Sequence, residues 1–320
     1  MPSSELRLIE RIRHAAKLTG GKPAHGIGDD SAVLDLPRGH EMLVTTDLSL
    51  EGTHFRREWH PAHSVGHRCL ARGLSDIAAM GGTPLYAFLS LALPADLPQR
   101  WVNSFMKGFF KLAKQYSVQL AGGDTAQSSC GVIADIIVVG STPKAKAILR
   151  SGAQPGDFLY VTGQLGVSVA ALQELRYGKK LRPNSHPRHF YPDPRIAVGQ
   201  FLREHRLARA MIDTSDGLST DLGHICHESR VGAVVDEIVL PVPPTDRNFR
   251  NALHGGEDYE LLFTVPPDRV EKLPNVGGHL QIAGVPITRI GGITKDRAIK
   301  LWKPDGTTSP LKPEGWQHFA

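Results

Sequence analysis

Six stretches of this 320-residue chain set carboxylates among glycine, serine and threonine close to the expected ends of strands and helices: GIGDDSAV (26–33), TTD (45–47), LSDIAAMGG (74–82), AGGDTAQ (121–127), IDTSDG (212–217) and GGEDYEL (255–261). A single acid after a strand is an ordinary turn or helix cap. Six of the same chemistry constrain the fold much more. If three or four converge, each pair about 4 Å apart repels by about 4 kcal/mol at an effective dielectric of about 20, comparable to much of a domain's net stability. Cations must then offset the repulsion. Aspartate offers hard oxygens on a short stem, glycine lets the backbone approach a ligand, and serine or threonine adds neutral oxygens, a donor set that suits Mg²⁺.

Between these turns, apolar runs alternate with helical patterns. MLVTTD (42–47) reads as a strand expected to end at Asp47, where it runs into the polar remainder of LVTTDLSLEGTHF (43–55). HSVGHRCLARGLSDIAAMGG (63–82) reads as a helix and LYAFLSLALP (85–94) as a strand. Trp101, Phe105, Phe109, Leu112 and Tyr116 predict an amphipathic helix, and GVIADIIVVGS (131–141) predicts a strand. STPKAKAILRSGAQPGD (141–157) then loses its apolar period and gathers Pro, Gly and Lys. A domain boundary is expected there, dividing 1–148 from 149–320. In the second half RAMIDTSDG, GAVVDEIVL and YELLFTV read as strands, while the proline-rich LRPNSHPRHFYPDPR (181–195) reads as an extended loop. The fold class is α/β with mixed sheets, in two domains.

Several function classes are disfavoured. The net charge is +5, but Lys and Arg are scattered rather than massed with aromatics, so no nucleic-acid partner is expected. No apolar stretch approaches the roughly 20 residues of a membrane helix, and the N-terminal segment, with Leu6, Ile9, Ile12 and Ala16 at helical spacing, lacks the apolar core of a signal peptide. No membrane association and a cytoplasmic location are expected. Cys69, Cys130 and Cys226 form no CxxC pair. His60, His63 and His67 fall at helical spacing without an HExxH pattern, and read as histidines on a polar helix face. There is no GxxxxGK[ST] loop, no kinase HRD or DFG set and no GxSxG nucleophile.

GIGDDSAVL, LVTTDLSLEGTHF, LSDIAAMGG, AGGDT, the R-x-GA-x-PGD of Arg150 to Asp157, IDTSDGLSTDL and GGEDYEL follow in order the pattern of thiamine-monophosphate kinases, and the resemblance spans residues 5–320. The GDD, GGD and SDGL elements alone would indicate only the broader aminoimidazole-ribonucleotide synthetase-like superfamily. The resemblance implies a two-domain fold of that type, with an N-terminal domain that binds ATP and Mg²⁺ and dimerises through a barrel-like sheet. Its C-terminal domain would complete the nucleotide and substrate site. It implies a homodimer that transfers the γ-phosphoryl group of ATP to thiamine monophosphate, giving thiamine diphosphate and ADP, with several Mg²⁺ ions. Asp30, Thr45, Thr46, Asp47, Asp76, Asp124, Asp213 and Asp216 match its metal ligands. Gly123, Asp124, Arg150 and Ser215 match nucleotide contacts, and His54, Glu257 and Trp316 match positions that meet the thiamine phosphate.

The residue types agree with such chemistry. A phosphate monoester is already anionic at neutral pH, so the acceptor needs no general base and no covalent catalytic residue is expected. An ATP-dependent synthetase of the same superfamily would share most of the acidic site, and a non-catalytic nucleotide-binding relative could keep it. The EGTHF and GGEDYEL strings and the terminal aromatic favour the kinase.

Overall fold

The structure, a computed structural model, describes residues 5–16, 26–28, 31–243 and 248–319. They fall into two compact units. The first gathers the described residues of Met1–Ile77, Gly82–Ala145 and Lys180–Pro192, and the second those of Ala78–Gly81, Lys146–Lys179 and Asp193–Ala320. No helix among the described residues is long and apolar enough to cross a membrane.

In the first unit, α1 (Glu5–Ala16) precedes β1 (His40–Leu50), α2 (Ala62–Ala79), β2 (Thr83–Pro94), α3 (Gln99–Gln115), β3 (Gln119–Ser128) and β4 (Ile133–Pro143). The four strands form one sheet in the order β1-β4-β2-β3, in which β4 runs antiparallel to both β1 and β2 while β2 and β3 are parallel. A parallel pair needs a crossover, and α3 supplies it. Several long apolar side chains of α2 and α3 are fully buried, among them Leu70, Leu74, Phe105, Phe109 and Leu112, together with Ile136 and Val138 of β4. Each contributes about 1.5–3 kcal/mol of burial energy for a full-sized apolar side chain.

Two glycines let these helices touch backbone to backbone. A Cβ at Gly66 of α2 would lie 2.0 Å from the Phe105 carbonyl oxygen, and one at Gly108 of α3 would lie 1.9 Å from that of His63. Gly73 does the same toward the sheet, where a Cβ would meet Val138 Cγ2 at 2.6 Å and stand near Thr45.

The second unit contains β5 (Phe158–Thr162), α4 (Val167–Arg176), α6 (Ile196–Glu204), β6 (Met211–Asp213), α7 (Leu218–Ser229), β7 (Gly232–Asp236), α8 (Phe249–His254), β8 (Leu261–Val265), β9 (Asn275–Val276), β10 (His279–Ile282), β11 (Val285–Thr294), β12 (Ile299–Trp302) and β13 (Thr308–Pro310); α5 (Pro187–Phe190) belongs to the first. Its sheet runs β13-β12-β7-β11-β5-β8-β6, mixed in direction, with β9 and β10 attached at β11. Leu159, Val161, Ala233, Val235 and Leu262 of the sheet pack with Leu218, Leu222 and Ile225 of α7. Every residue of β8 is buried, as the unbroken apolar reading of its segment requires.

Four expectations need correction. β1 does not end at Asp47: Asp47 pairs with Ile136 and the ladder continues to Leu50 opposite Ile133, because Leu48 and Leu50 keep the strand pattern running. Similarly, AGGDTAQ lies within β3 rather than at its end. The 181–195 segment is not simply extended, since prolines at the first turn of a helix are tolerated and it forms a 3-10 turn (Pro183–Ser185) and α5. Finally, His60 and His67 are buried, not on a polar face. The His60 and His189 Nε2 atoms are 3.0 Å apart, one donating to the other, and His67 Nε2 donates to the Pro192 carbonyl at 2.8 Å. All three cysteines are free; burial pushes the Cys69 and Cys226 thiols up to about 12, and Cys130 is exposed.

The helix contact yields a test. Gly66→Ala or Gly108→Ala should destabilise the protein by about 1–3 kcal/mol, because backbone must move to admit the methyl group. Gly223→Ala, where a Cβ meets nothing within 4 Å, should be neutral or stabilising. Chemical denaturation of the three variants would measure this, and equal stabilities would contradict the close contact.

Candidate active site

In the first unit the pleat of β1 separates two sets of side chains. Leu43, Thr45, Asp47 and Ser49 alternate on its more buried face, and Met42, Val44, Thr46 and Leu48 on the exposed one. The Thr45 hydroxyl donates to the carboxylate of Asp76, which α2 brings to the sheet. Asp47 stands 3.5 Å from the Arg72 guanidinium, one helical turn before Asp76. Burial raises the Asp47 carboxyl from 3.8 to about 6; Arg72 pulls it down and the carboxylates of Asp76 and Asp135 push it up. Desolvation and like charge outweigh the single cation. Thr46 turns the other way and donates to Asp135 of β4 at 3.0 Å.

Gly123 and Asp124 lie on the far strand of this sheet. Asp47 aligns through Ile136 and Leu89 with Gly123, and Leu48 aligns through Asp135 and Ser90 with Asp124. Three strand spacings separate β1 from β3, about 14 Å. Gly123 has φ of 151°, and a Cβ there would lie 1.9 Å from the Leu89 carbonyl oxygen, so the strand contact itself demands glycine. His54 follows β1 in a turn where its Nδ1 accepts the Leu50 N–H at 3.0 Å, leaving the proton of the neutral ring on Nε2 as a donor. Glu51 holds that loop, accepting from Arg57 Nε at 2.5 Å and from the Val132 N–H at 2.8 Å.

In the second unit β6 ends at Asp213, and Thr214 to Gly217 turn into α7. Asp213 is buried, and Asp221 in the first turn of α7 accepts the Gly217 N–H at 3.0 Å. Burial raises Asp221 well above its ordinary value, helped by the charges of Asp213 and Asp216. Backbone bonds tie this turn to two of the three residues expected to meet the acceptor, Glu257 and Trp316. The Glu257 N–H donates to the Ser215 carbonyl at 2.8 Å, the Tyr259 N–H to that of Thr214 at 2.9 Å, and the Trp316 N–H to that of Asp216 at 2.9 Å. Glu257 and Tyr259 adopt left-handed backbone, φ 65° and 52°; such non-glycine residues cost about 1–3 kcal/mol each and persist only where their surroundings hold them. The indole of Trp316 is half exposed and edge-on to His318. Arg150 is exposed and follows Leu149, which bridges Ala210 beside β6.

The structure therefore gathers Thr45, Asp47 and Asp76 at one place, and Asp213, Ser215, Asp216, Glu257 and Trp316 at another. Thr46 and Asp124 stand apart from the first group, and Asp30 lies outside the described residues. Asp135, Arg72 and Asp221 are the members that sequence reading missed. Arg72 and Asp76 share a helix face four residues apart, and Asp135 is the one acid in an apolar strand, so both carried a signal. Among the described residues no three His, Cys, Asp or Glu side chains gather closely enough to hold an ion by themselves. The donor types still fit Mg²⁺, which takes one or two carboxylates and fills its shell with water and phosphate oxygens. The raised Asp47 and Asp221 carboxyls mark places where the protein supplies less positive charge than its acids call for.

The families AIR synthase related protein, N-terminal domain, and AIR synthase related protein, C-terminal domain, match residues 28–143 and 154–303. A thiamine-monophosphate kinase of Escherichia coli (strain K12) is 39% identical over 333 residues, covering 100% of this chain and 99% of that protein. The crystal structure of a thiamine-monophosphate kinase from Stenotrophomonas maltophilia K279a is 34% identical with a TM-score of 0.81, covering 97% of this chain and 99% of that one. A structure of AaThiL complexed with AMPPCP and TMP is 30% identical with a TM-score of 0.77, over 98% of this chain and 97% of that one.

The charge balance at Asp47 predicts a pH dependence in metal-free protein. Its folded-state value, about 6, exceeds the ordinary 3.8, so the folded chain keeps a proton that the unfolded chain releases. The resulting stability is present below pH ~4 and is lost as pH rises to ~6, on the order of 1–3 kcal/mol. Denaturation in EDTA across this range should show the decline, and Asp47→Asn should remove this part of the slope; an unchanged slope would refute the assignment.

Proposed function

Because the chain belongs to the thiamine-monophosphate kinase family, we propose that it transfers the γ-phosphoryl group of ATP to the phosphate of thiamine monophosphate, giving thiamine diphosphate and ADP. One observation carries the assignment to this site: the Asp213–Gly217 turn is bonded through its backbone to both Glu257 and Trp316. Acidic oxygens that suit a metal–phosphate complex and residues that suit a thiamine ring are thus parts of one local structure.

Asp47, Asp76, Asp213 and Asp216, with Thr45, Thr46, Asp30 and Asp124, would hold Mg²⁺. When bound, Mg²⁺ neutralises phosphate charge and relieves repulsion between the two polyanions. Arg150 adds a guanidinium toward phosphate, with Gly123 and Ser215 beside the nucleotide. His54 offers its Nε2–H to the acceptor phosphate, and Glu257 and the Trp316 indole face the cationic thiamine rings. No side chain needs to take a proton, since the acceptor oxygen is already anionic, so the site's task is alignment and charge compensation.

A homodimer through the first unit accords with the exposed face of β1. Met42, Val44 and Leu48 lie there on a sheet edge and are each about half exposed, a stripe that a second copy could cover to complete a barrel-like sheet. Such an activity accords with a cytoplasmic protein that contacts neither membrane nor nucleic acid. Residues 1–148 and 149–320 would divide the ATP- and Mg²⁺-binding, dimer-forming part from the part completing the site.

The deciding assay is incubation with ATP, Mg²⁺ and thiamine monophosphate, with chromatography for thiamine diphosphate. Product should form, and excess EDTA should abolish it; ATP consumption that yields no thiamine diphosphate would sink the reading. Asp47→Asn should lower turnover by about two orders of magnitude or more while the protein stays folded.

Trp316→Ala should act differently, raising the KM for thiamine monophosphate by about 3- to 30-fold with the KM for ATP nearly unchanged, because ring stacking serves ground and transition states alike. Equal shifts in both KM values would show that Trp316 only pins the C-terminal segment.

A further inference from the structure

Glu260 is a carboxylate with no exposed surface, three residues past Glu257. Arg195 grips it with a two-pronged fork, Nε to Oε2 at 2.7 Å and Nη2 to Oε1 at 2.6 Å, and the Thr162 hydroxyl adds a third donor to Oε2 at 2.5 Å. Arg195 is itself oriented by Asp193 at 3.3 Å. Gly163 lies against the carboxylate with φ of 59°, where a Cβ would stand 2.0 Å from Oε1, so the cradle admits no side chain. A buried charge survives only when paired and fully hydrogen-bonded, and this one is.

The cradle closes on a segment whose backbone is strained. Residues 257 to 260 alternate: Glu257 and Tyr259 are left-handed, and Asp258 and Glu260 carry the side-chain anchors. Asp258 accepts the Gly166 N–H at 2.7 Å and the Ser168 N–H at 3.2 Å at the start of α4. Glu260 is fixed by Arg195 and Thr162, and its backbone N–H donates to the Thr214 hydroxyl at 3.1 Å. The neighbouring Asp213–Gly217 turn has anchors of its own in Asp221 and in the Trp316 N–H. Glu260 also accepts the Thr214 N–H at 2.8 Å, so loosening it frees one end of the segment that aims Glu257 and touches the turn at Thr214, while Asp221 and the Trp316 N–H hold the rest of the turn.

We propose that Arg195 and Glu260 are positioning residues for the acceptor: their buried fork holds the left-handed Glu257–Tyr259 segment and thereby sets affinity for thiamine monophosphate rather than for ATP. This rests on the reading that Glu257 meets the acceptor.

Arg195→Lys keeps the charge and loses the fork. It should raise the KM for thiamine monophosphate by about 5- to 30-fold, with the KM for ATP within about twofold and kcat within about threefold. Glu260→Gln should follow the same pattern. Thr162→Val, which removes one donor at nearly constant volume, should raise the acceptor KM by about 3- to 10-fold, and Thr162→Ser, which keeps the hydroxyl, should restore it. If the Arg195 and Glu260 variants do not fold, the Thr162 pair carries the test alone. Equal shifts in both KM values, or lowered thermal stability with an unmoved acceptor KM, would overturn the proposal, since a merely structural fork would act that way. Calorimetric titration of thiamine monophosphate in the presence of a non-hydrolysable ATP analogue separates the two assignments. An inactive wild type whose acceptor binding Arg195→Lys still weakens overturns the reaction alone; an active wild type with unweakened variant binding overturns the fork alone.

Discussion

Carboxylates held out of water near one another resist burial, and each must be answered by a cation, by hydrogen-bond donors or by a proton. The chain uses all three. Arg72 beside Asp47 answers only in part, and the Asp47 carboxyl rises to about 6. Asp221 has the Gly217 N–H and still rises well above its usual range. Glu260 receives a guanidinium and a hydroxyl and is fully buried. The distinction separates acids that complete a structure from acids left with residual demand for positive charge, and the second kind is the kind a metal–nucleotide complex satisfies.

Rigid elements present these groups. Asp47 and Thr45 project from the middle of an eleven-residue strand paired along its whole length, and Asp76 from a helix whose glycines let it lie against both sheet and neighbour. In the second unit the turn after β6 is short, but backbone bonds from residues 257, 259 and 316 fasten it. Catalysis by alignment needs such stiffness, because a misplacement of about 1 Å costs roughly a hundredfold in rate.

Much of this was legible in the amino-acid order. Apolar periodicity marks α1, α2, α3, β2, β4 and the start of β1 in the first unit but not β3, and the acidic motifs mark Asp47 with Asp76 and, in the second unit, Asp213 with Asp216, pairs that the fold sets near one another. What escaped did so for physical reasons. The end of β1 was misplaced because Thr-Thr-Asp resembles turn chemistry, whereas strand pairing with β4 overrides that local preference. His60 and His67 read as surface residues because their partners, His189 and Pro192, lie more than a hundred positions away in sequence. Asp135 and Asp221 were passed over because one acid in a strand or helix looks solvated until the fold places others near it. The Arg195–Glu260 fork joins residues 65 positions apart, and no local pattern announces such a pair.

The interlock of Gly66 with the Phe105 carbonyl and of Gly108 with that of His63 reaches beyond packing density. Two reciprocal notches on crossing helices act as a mortise: sliding α2 along α3 by even one residue would drive a side chain into a carbonyl. Shear between packed helices, a common route for small functional movements, is therefore closed to this pair. Arg72 and Asp76 therefore travel with α2 as fixed fittings, and no movement that admits or releases substrate can come from sliding within the α2–α3 layer.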